Sequence, residues 1–110
     1  MNIAPNRRAL ITGASTGIGR STALAFAKAG FDVALVSRSA DKLQTLVDEI
    51  GAIATVKALS FPMDLSVIDQ VKINISELLE QFGPVDVLIN NAGMGYTGEL
   101  KAMPDRKSVV

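Results

Sequence analysis

Apolar residues along the chain fall into two alternating patterns. Short apolar runs, such as residues 32–37 (D-V-A-L-V-S), are typical of buried strands. Between these runs, apolar residues recur at helical spacing, and the clearest stripe is formed by Leu43, Leu46, Val47 and Ile50. The sequence therefore predicts strands that alternate with amphipathic helices.

Turn and capping residues set the bounds of these elements. The predicted strands cover residues 9–12, 32–37, 54–61 and 85–90, and the predicted helices cover residues 17–29, 40–50 and 67–81. The expected N-caps of the second and third helices are Ser39 and Ser66, and the expected helix ends are Gly30, Gly51 and Gly83. Because parallel strands need helical crossovers, the order β-α-β-α-β-α-β predicts an α/β fold with a parallel sheet covered on both faces.

Composition narrows the functional classes. The 110 residues fit one domain, and at 48% hydrophobic they are too apolar for a disordered chain. Eleven basic residues balance eleven acidic ones, which argues against a surface for nucleic acid or an anionic membrane. Histidine and cysteine are both absent, which excludes imidazole and thiol chemistry from this chain, and no metal site is expected. Residues 87–98, the longest uncharged run, are too few to span a bilayer, and there is no secretory signal pattern, so the expected location is the cytoplasm.

The loop after the first predicted strand carries three glycines at G-x-x-x-G-x-G spacing. In a dinucleotide-binding loop, such glycines allow a sharp turn, close approach of backbone N–H groups to a pyrophosphate, and close packing of the helix on the sheet. The amino end of the following helix favours an anion. The alternative is a glycine-rich turn without a ligand, whereas a triphosphate-binding P-loop is excluded because no Gly-Lys-Ser/Thr follows. The residues expected to bind the pyrophosphate are Gly13, Ser15, Thr16, Gly17, Ile18 and Gly19.

Three motifs follow the first, third and fourth predicted strands: T-G-A-S-T-G-I-G at residues 12–19, M-D-L-S at 63–66 and N-N-A-G at 90–93. Together they resemble the short-chain dehydrogenase/reductase family over most of the chain. The resemblance implies a Rossmann-type doubly wound parallel sheet, of which this chain would hold four strands and three helices. It assigns residues 1–104 to the N-terminal part of an NAD(P)-binding domain.

The resemblance also implies coenzyme contacts beyond the glycine loop. Asp64 would accept a hydrogen bond from the adenine amino group, with the backbone of Leu65 nearby. An acid at this position could alternatively serve only as a favourable charge at a helix start. Asn90, Ala92 and Gly93 would line the coenzyme and brace the centre of the sheet. The expected site thus extends to the ends of the third and fourth strands.

The coenzyme preference is expected to depend on the end of the second predicted strand. Ser37 and Arg38 stand there, where an acidic residue would bind both ribose hydroxyls and repel a 2′-phosphate. A cation can instead pair with the 2′-phosphate. The resemblance therefore implies NADP(H) over NAD(H). The alternative is a solvent-exposed arginine beside the start of a helix.

The family's proton-transfer chemistry needs a Tyr-x-x-x-Lys pair with a serine upstream, and this chain holds no such pair. Its single tyrosine, Tyr96, is followed four residues later by Leu100, so it is interpreted as a pocket-rim or packing residue. No catalytic residue is assigned.

The expectation is therefore an NADP(H)-binding fragment of an oxidoreductase. The parent would transfer hydride between the nicotinamide and a small carbonyl or alcohol substrate, and would form a homo-oligomer. Two alternatives stay open. One is a non-catalytic dinucleotide-binding or sensor protein of the same fold, and the other is a structural βα unit without a ligand.

The last residues, 105–110 (D-R-K-S-V-V), are expected to be a non-native tail. One codon choice for them resembles the opening of a widely used DNA sequencing adapter. A natural short form or a deliberately shortened gene is the alternative. Because an incomplete sheet would expose the apolar strand at residues 85–89, the isolated chain is expected to be poorly soluble or molten and to bind NADPH weakly.

Overall fold

Strands and helices alternate along the chain, as the hydrophobic pattern predicts. The structure is a computed structural model, and it describes residues 6–91. The strands are β1 (Arg8–Thr12), β2 (Asp32–Ser37), β3 (Ala58–Pro62) and β4 (Val87–Ile89), and the helices are α1 (Gly17–Lys28), α2 (Ala40–Ile53) and α3 (Ile68–Phe82). None of these three helices combines the length and the apolar character needed to cross a membrane.

The four strands form one parallel sheet in the order β3-β2-β1-β4. Ala9 in β1 pairs with Val33 in β2 on one side and with Val87 in β4 on the other. The chain therefore builds outward from β1 through β2 and β3, and then crosses back to place β4 on the opposite side. Such a reversal leaves a crevice beyond the carboxyl ends of the strands. The predicted Rossmann-type doubly wound sheet, with four strands and three helices, is confirmed.

Two apolar cores cover the two faces of the sheet. On one face, Ile11 and Leu35 pack in a cluster with buried residues of α1 and α2. On the other face, Leu10 and Val36 pack in a cluster with α3. Neighbouring residues of a strand point to opposite faces, so a strand buried on both faces is apolar along most of its length. The buried residues of α3 are Val71, Ile75, Leu78 and Phe82.

The end of α1 follows the prediction at Gly30. This glycine has φ +92°, and its N–H donates to the carbonyl of Ala27 over 3.0 Å. The N–H of Phe31 donates to the carbonyl of Phe26 over 3.0 Å, which completes a Schellman motif. The rings of Phe26 and Phe31 lie edge to face with centroids 4.8 Å apart, and they close the apolar side of the turn. Asp32 can therefore begin β2 directly after the helix end.

The end of α2 was predicted wrongly. The helix runs past Gly51 to Ile53, and its hydrogen bonding continues to the N–H of Ala54, which donates to the carbonyl of Ile50 over 2.9 Å. A glycine inside a helix costs about 1 kcal/mol relative to alanine, which is too little to end a helix on its own. Because α2 is longer than predicted, β3 begins at Ala58 instead of residue 54.

The start of α3 and the extent of β4 also differ from the prediction. The N-cap of α3 is Val67 instead of Ser66, and it makes no side-chain capping bond. The hydroxyl of Ser66 donates to Oδ1 of Asp64 over 2.6 Å. A hydrogen bond to a carboxylate is stronger than one between neutral groups, which accounts for this position of the hydroxyl. β4 covers only Val87–Ile89.

Candidate functional site

A groove of about 570 Å³ lies beyond the carboxyl ends of the strands. The segments that follow all four strands contribute to it, because the parallel order brings these segments to one edge of the sheet. The groove is therefore the crevice expected from the reversal of strand order at β1. Its lining residues are Gly13, Ser15, Thr16, Ser37, Arg38, Ser39, Lys42, Met63, Asp64, Leu65, Ser66 and Asn91.

The glycine loop between β1 and α1 has the backbone geometry that only glycine adopts readily. Gly13 has φ +62° and Gly17 has φ +58°. Gly19 is needed for a different reason, since an added Cβ would lie 2.0 Å from the carbonyl oxygen of Gly13 and 2.8 Å from Nδ2 of Asn91. The sequence predicted close packing at Gly19. The structure identifies its close neighbours as the loop itself and the segment after β4.

The amino end of α1 begins at the groove. Its N-cap, Thr16, lines the groove and makes no side-chain capping bond. The N–H of Arg20 is bonded to the carbonyl of Thr16, so the N–H groups of residues 17–19 precede the intrahelical ladder. The first turn also carries no acidic residue. This end of the helix therefore presents backbone donors and the positive end of the helix dipole, which suits a phosphate.

A buried hydroxyl joins the ends of β1 and β4. Thr12 is fully buried, and its Oγ1 lies 3.0 Å from Oδ1 of Asn90, to which it donates. The same oxygen accepts a hydrogen bond from the N–H of Asn91 over 2.9 Å. Asn90 therefore braces the sheet, as predicted, but it does not line the groove. Asn91 lines the groove in its place.

The end of β2 positions the predicted cation. Arg38 is exposed and lines the groove. Its neighbour Ser37 is buried, and the carbonyl of Ser37 accepts a hydrogen bond from the N–H of Met63 over 2.9 Å. Ser39 caps α2, as predicted, because its Oγ accepts a hydrogen bond from the N–H of Lys42 over 3.4 Å. The groove thus has a cation beside two serines at the end of β2.

Asp64 supplies a carboxylate at the end of β3. Its Oδ1 accepts hydrogen bonds from the hydroxyl and the N–H of Ser66, over 2.6 and 2.9 Å. These bonds are the main reason that the pKa of Asp64 lies below its ordinary value, and the positive charge of Arg38 adds a smaller lowering against the effect of burial. Asp64 is therefore an ionised acceptor that is held in place by the next turn of the chain.

The predicted site residues fall into three groups. Six of them line the groove: Gly13, Ser15, Thr16, Arg38, Asp64 and Leu65. Four others lie beside it: Gly17, Ile18 and Gly19 in the first turn of α1, and Asn90 at the end of β4. Ala92, Gly93 and Tyr96 lie outside the described residues.

Sequence reasoning missed the roles of several lining residues. Asn91 belongs to the N-N-A-G motif, so the motif did indicate this position. The neighbouring Asn90 was predicted as the coenzyme contact instead. Lys42 lies in the first turn of α2, and the sequence signal for its position was the capping residue Ser39, after which that turn begins at the end of β2. The other lining residues that the sequence did not single out as contacts are Ser37, Ser39, Met63 and Ser66.

The comparisons with known proteins all point to one family. The family model described as short chain dehydrogenase matches residues 7–109. A 3-oxoacyl-[acyl-carrier-protein] reductase of Staphylococcus epidermidis is 43% identical over 103 residues, which are 93% of this chain and 42% of that protein.

Two solved structures share the fold at similar identity. The alcohol dehydrogenase of Thermococcus sibiricus, complexed with 5-hydroxy-NADP, has a TM-score of 0.77 and 37% identity over 92% of this chain and 43% of that one. The 3-oxoacyl-[acyl-carrier protein] reductase of Brucella melitensis, in complex with NAD, has a TM-score of 0.75 and 33% identity over 93% of this chain and 40% of that one.

The chain spans about two fifths of the length of these relatives. The match covers the glycine loop, the ends of β2 and β3 and the N-N-A-G segment, which are the parts that build the groove. Motif, topology and similarity thus agree, and the chain belongs to the short-chain dehydrogenase/reductase family.

Proposed function

We propose that this chain is the coenzyme-binding portion of an NADP(H)-dependent oxidoreductase, and that the groove holds the adenosine half and the pyrophosphate of the coenzyme. The residues present fit such a ligand. The glycine loop and the amino end of α1 offer donors for the pyrophosphate, and residue 19 leaves no room for a Cβ. The proposed contacts are Gly13, Ser15, Thr16, Gly17, Ile18, Gly19, Arg38, Asp64, Leu65, Asn90, Ala92 and Gly93.

One observation carries the preference for NADP(H), namely that Arg38 occupies the groove at the end of β2. A carboxylate at this position would accept hydrogen bonds from both ribose hydroxyls and would repel a phosphate. A guanidinium can bind the 2′-phosphate through two parallel hydrogen bonds. The relatives do not show which coenzyme this chain prefers, because one was solved with an NADP derivative and another with NAD. The proposal therefore depends on this chain's own residue.

Asp64 is proposed to bind the adenine. Its Oδ1 is occupied by Ser66, which leaves Oδ2 to accept a hydrogen bond from the adenine amino group. Because its pKa is lowered, the carboxylate is ionised and stays an acceptor well into acidic solution. The adenine and the 2′-phosphate are neighbouring groups of the coenzyme. Their proposed positions, at the ends of β3 and β2, are also adjacent, because these two strands are neighbours in the sheet.

The whole enzyme is proposed to act on a small carbonyl or alcohol substrate, as a soluble, cytoplasmic homo-oligomer. The coenzyme supplies or accepts the hydride when it is bound. This chain's residues hold and orient it, and they include no Tyr-x-x-x-Lys pair to move the proton. We assign proton transfer to the portion of the relatives' length that this chain does not span, and we expect this chain alone to be inactive.

The test is a titration of the full chain with NADPH and with NADH, followed by nicotinamide fluorescence. We expect tighter binding of NADPH, and we expect Arg38→Asp to remove that preference through repulsion of the 2′-phosphate. Arg7→Asp serves as the control, because it makes the same charge change outside the groove. Equal affinities for the two coenzymes in the unmodified chain would contradict the proposed preference, and equal weakening of both by Arg38→Asp would remove its basis.

A further inference from the structure

Arg38 is not the only cation in the groove. Lys42, in the first turn of α2, lines it as well. The turn between them is held by Ser39, whose N–H donates to Oγ of Ser37 over 3.0 Å and whose own Oγ accepts from the N–H of Lys42 over 3.4 Å. This cap fixes the backbone of Lys42 relative to that of Arg38.

Lys42 determines the sign of the net charge at this end of the groove. Asp64 also lines the groove, and its carboxylate interacts electrostatically with Arg38. The two charges together sum to zero. A phosphate monoester carries about −1.5 to −2 charges near neutral pH, so with Arg38 and Asp64 alone it would meet one cation and one anion. Lys42 makes this end of the groove positive overall.

Within the described part of the chain, both cations are free of ion-pair partners. The ion pair found within residues 6–91 joins Arg20 of α1 to Glu49 of α2, and in that range no carboxylate lies within ion-pair distance of Arg38 or Lys42. The N–H of Lys42 is already bonded to Ser39. What Lys42 can offer a ligand is therefore its ammonium group, with three donors on a flexible stem.

We infer that Lys42 is a second specificity-determining residue, which binds the 2′-phosphate of the coenzyme together with Arg38. This inference rests on the proposed function. The two residues act differently, since the guanidinium forms a planar pair of hydrogen bonds and the ammonium acts as a compact point charge. Because NADPH and NADH differ only in the 2′-phosphate, Lys42 adds affinity for NADPH and none for NADH.

The experiment compares NADPH and NADH binding to the full chain for the unmodified protein, Lys42→Gln and Lys42→Arg. We expect Lys42→Gln to weaken NADPH binding about fivefold or more, which is modest for a lost charge-assisted hydrogen bond at an exposed site. NADH binding should stay the same, and Lys42→Arg should restore most of the loss. NADPH affinity should also fall less steeply with salt in Lys42→Gln than in the unmodified chain.

Lys72→Gln is the matched control, because it removes one exposed lysine from α3, outside the groove. It should leave both affinities unchanged, and circular dichroism should show that each variant stays folded. If the unmodified chain prefers NADPH and Lys42→Gln keeps that preference in full, the inference is wrong while the proposed function stands. If the unmodified chain prefers NADH or binds neither coenzyme, the proposed function fails and this inference fails with it.

Discussion

The hydroxyl of Thr12 lies 3.0 Å from Oδ1 of Asn90 and ties the carboxyl end of β1 to the chain that leaves β4. The same oxygen accepts the N–H of Asn91, which lines the groove. One buried side chain thus holds two strands of the sheet and one wall of the groove together.

We expect Thr12→Val to destabilise the protein by about 1–3 kcal/mol, because the valine methyl leaves the N–H of Asn91 and the amide of Asn90 without their buried partner. Coenzyme affinity should fall as well, since the wall at Asn91 loses its anchor. Thr12→Ser keeps the hydroxyl and should retain most of both properties. Urea unfolding and NADPH titration measure them, and a Thr12→Ser variant as impaired as Thr12→Val would show that the methyl group matters instead.

Two glycines should respond in opposite directions to alanine. In Gly19→Ala the new Cβ would lie 2.0 Å from the carbonyl oxygen of Gly13, so the loop must shift. We expect a loss of about 1–3 kcal/mol in the free energy of unfolding, the usual range for overpacking, and a loss of coenzyme binding.

Gly51→Ala is the control for this substitution. A Cβ at residue 51 meets no atom of residues 6–91 within 4 Å, and the residue lies inside α2. We expect it to raise stability by up to about 1 kcal/mol, because alanine restricts the unfolded chain and favours the helix. Thermal unfolding of the two variants side by side tests both statements, and a well-folded Gly19→Ala that still binds NADPH would contradict the first.

Asp64 should make stability depend on pH in acidic solution. Its pKa in the folded protein lies below the ordinary value of 3.8, chiefly because of its hydrogen bonds from Ser66. A carboxyl with a lowered pKa stabilises the folded state above its unfolded pKa, and this contribution is lost as the pH falls through the folded pKa. The loss is therefore expected below pH 3.8, while stability near neutral pH stays flat with respect to this group.

Ser66→Ala tests the cause of that shift. The variant removes the hydroxyl donor and keeps the backbone N–H, so the pKa of Asp64 should rise part of the way towards its ordinary value. Carbon-detected NMR titration of the Asp64 carboxyl measures it. Arg38→Gln should raise the pKa by less, because the guanidinium is the smaller cause. A larger rise in Arg38→Gln would reverse the order of causes.

The sequence predicts the architecture well because burial on both faces leaves a clear pattern. β2 was predicted with its observed bounds, since residues 33–36 form an apolar run between two helices and the turn at Gly30 fixes where β2 begins. Boundaries that depend on one polar contact were predicted less well. Ser66 has the residue type of an N-cap, but its hydroxyl bonds to Asp64, and that choice is decided by the three-dimensional position of the carboxylate.

Residues of the site were predictable where the sequence marks them by a motif or by their position at the end of a strand. Gly13, Thr16, Arg38 and Asp64 were expected to contact the coenzyme, and all four line one groove. Lys42 was not predicted as a lining residue. It lines the groove because of where α2 begins, and no single sequence motif indicates that position. Ala92 and Gly93, which lie outside the described residues, and the assignment of residues 105–110 as a tail stay predictions.

The strand order has a consequence for the way the molecule assembles. β2 and β3 join the sheet in sequence, each beside the strand before it, whereas β4 must return past both of them to pair with β1. Closing that longer loop costs more chain entropy, so we expect β4 to dock last and slowly. Asn91 follows β4 directly, so the groove gains its last wall only at that step. A coenzyme that contacts both sides of the groove would therefore stabilise the protein late in folding, by holding β4 against a sheet that is otherwise already formed.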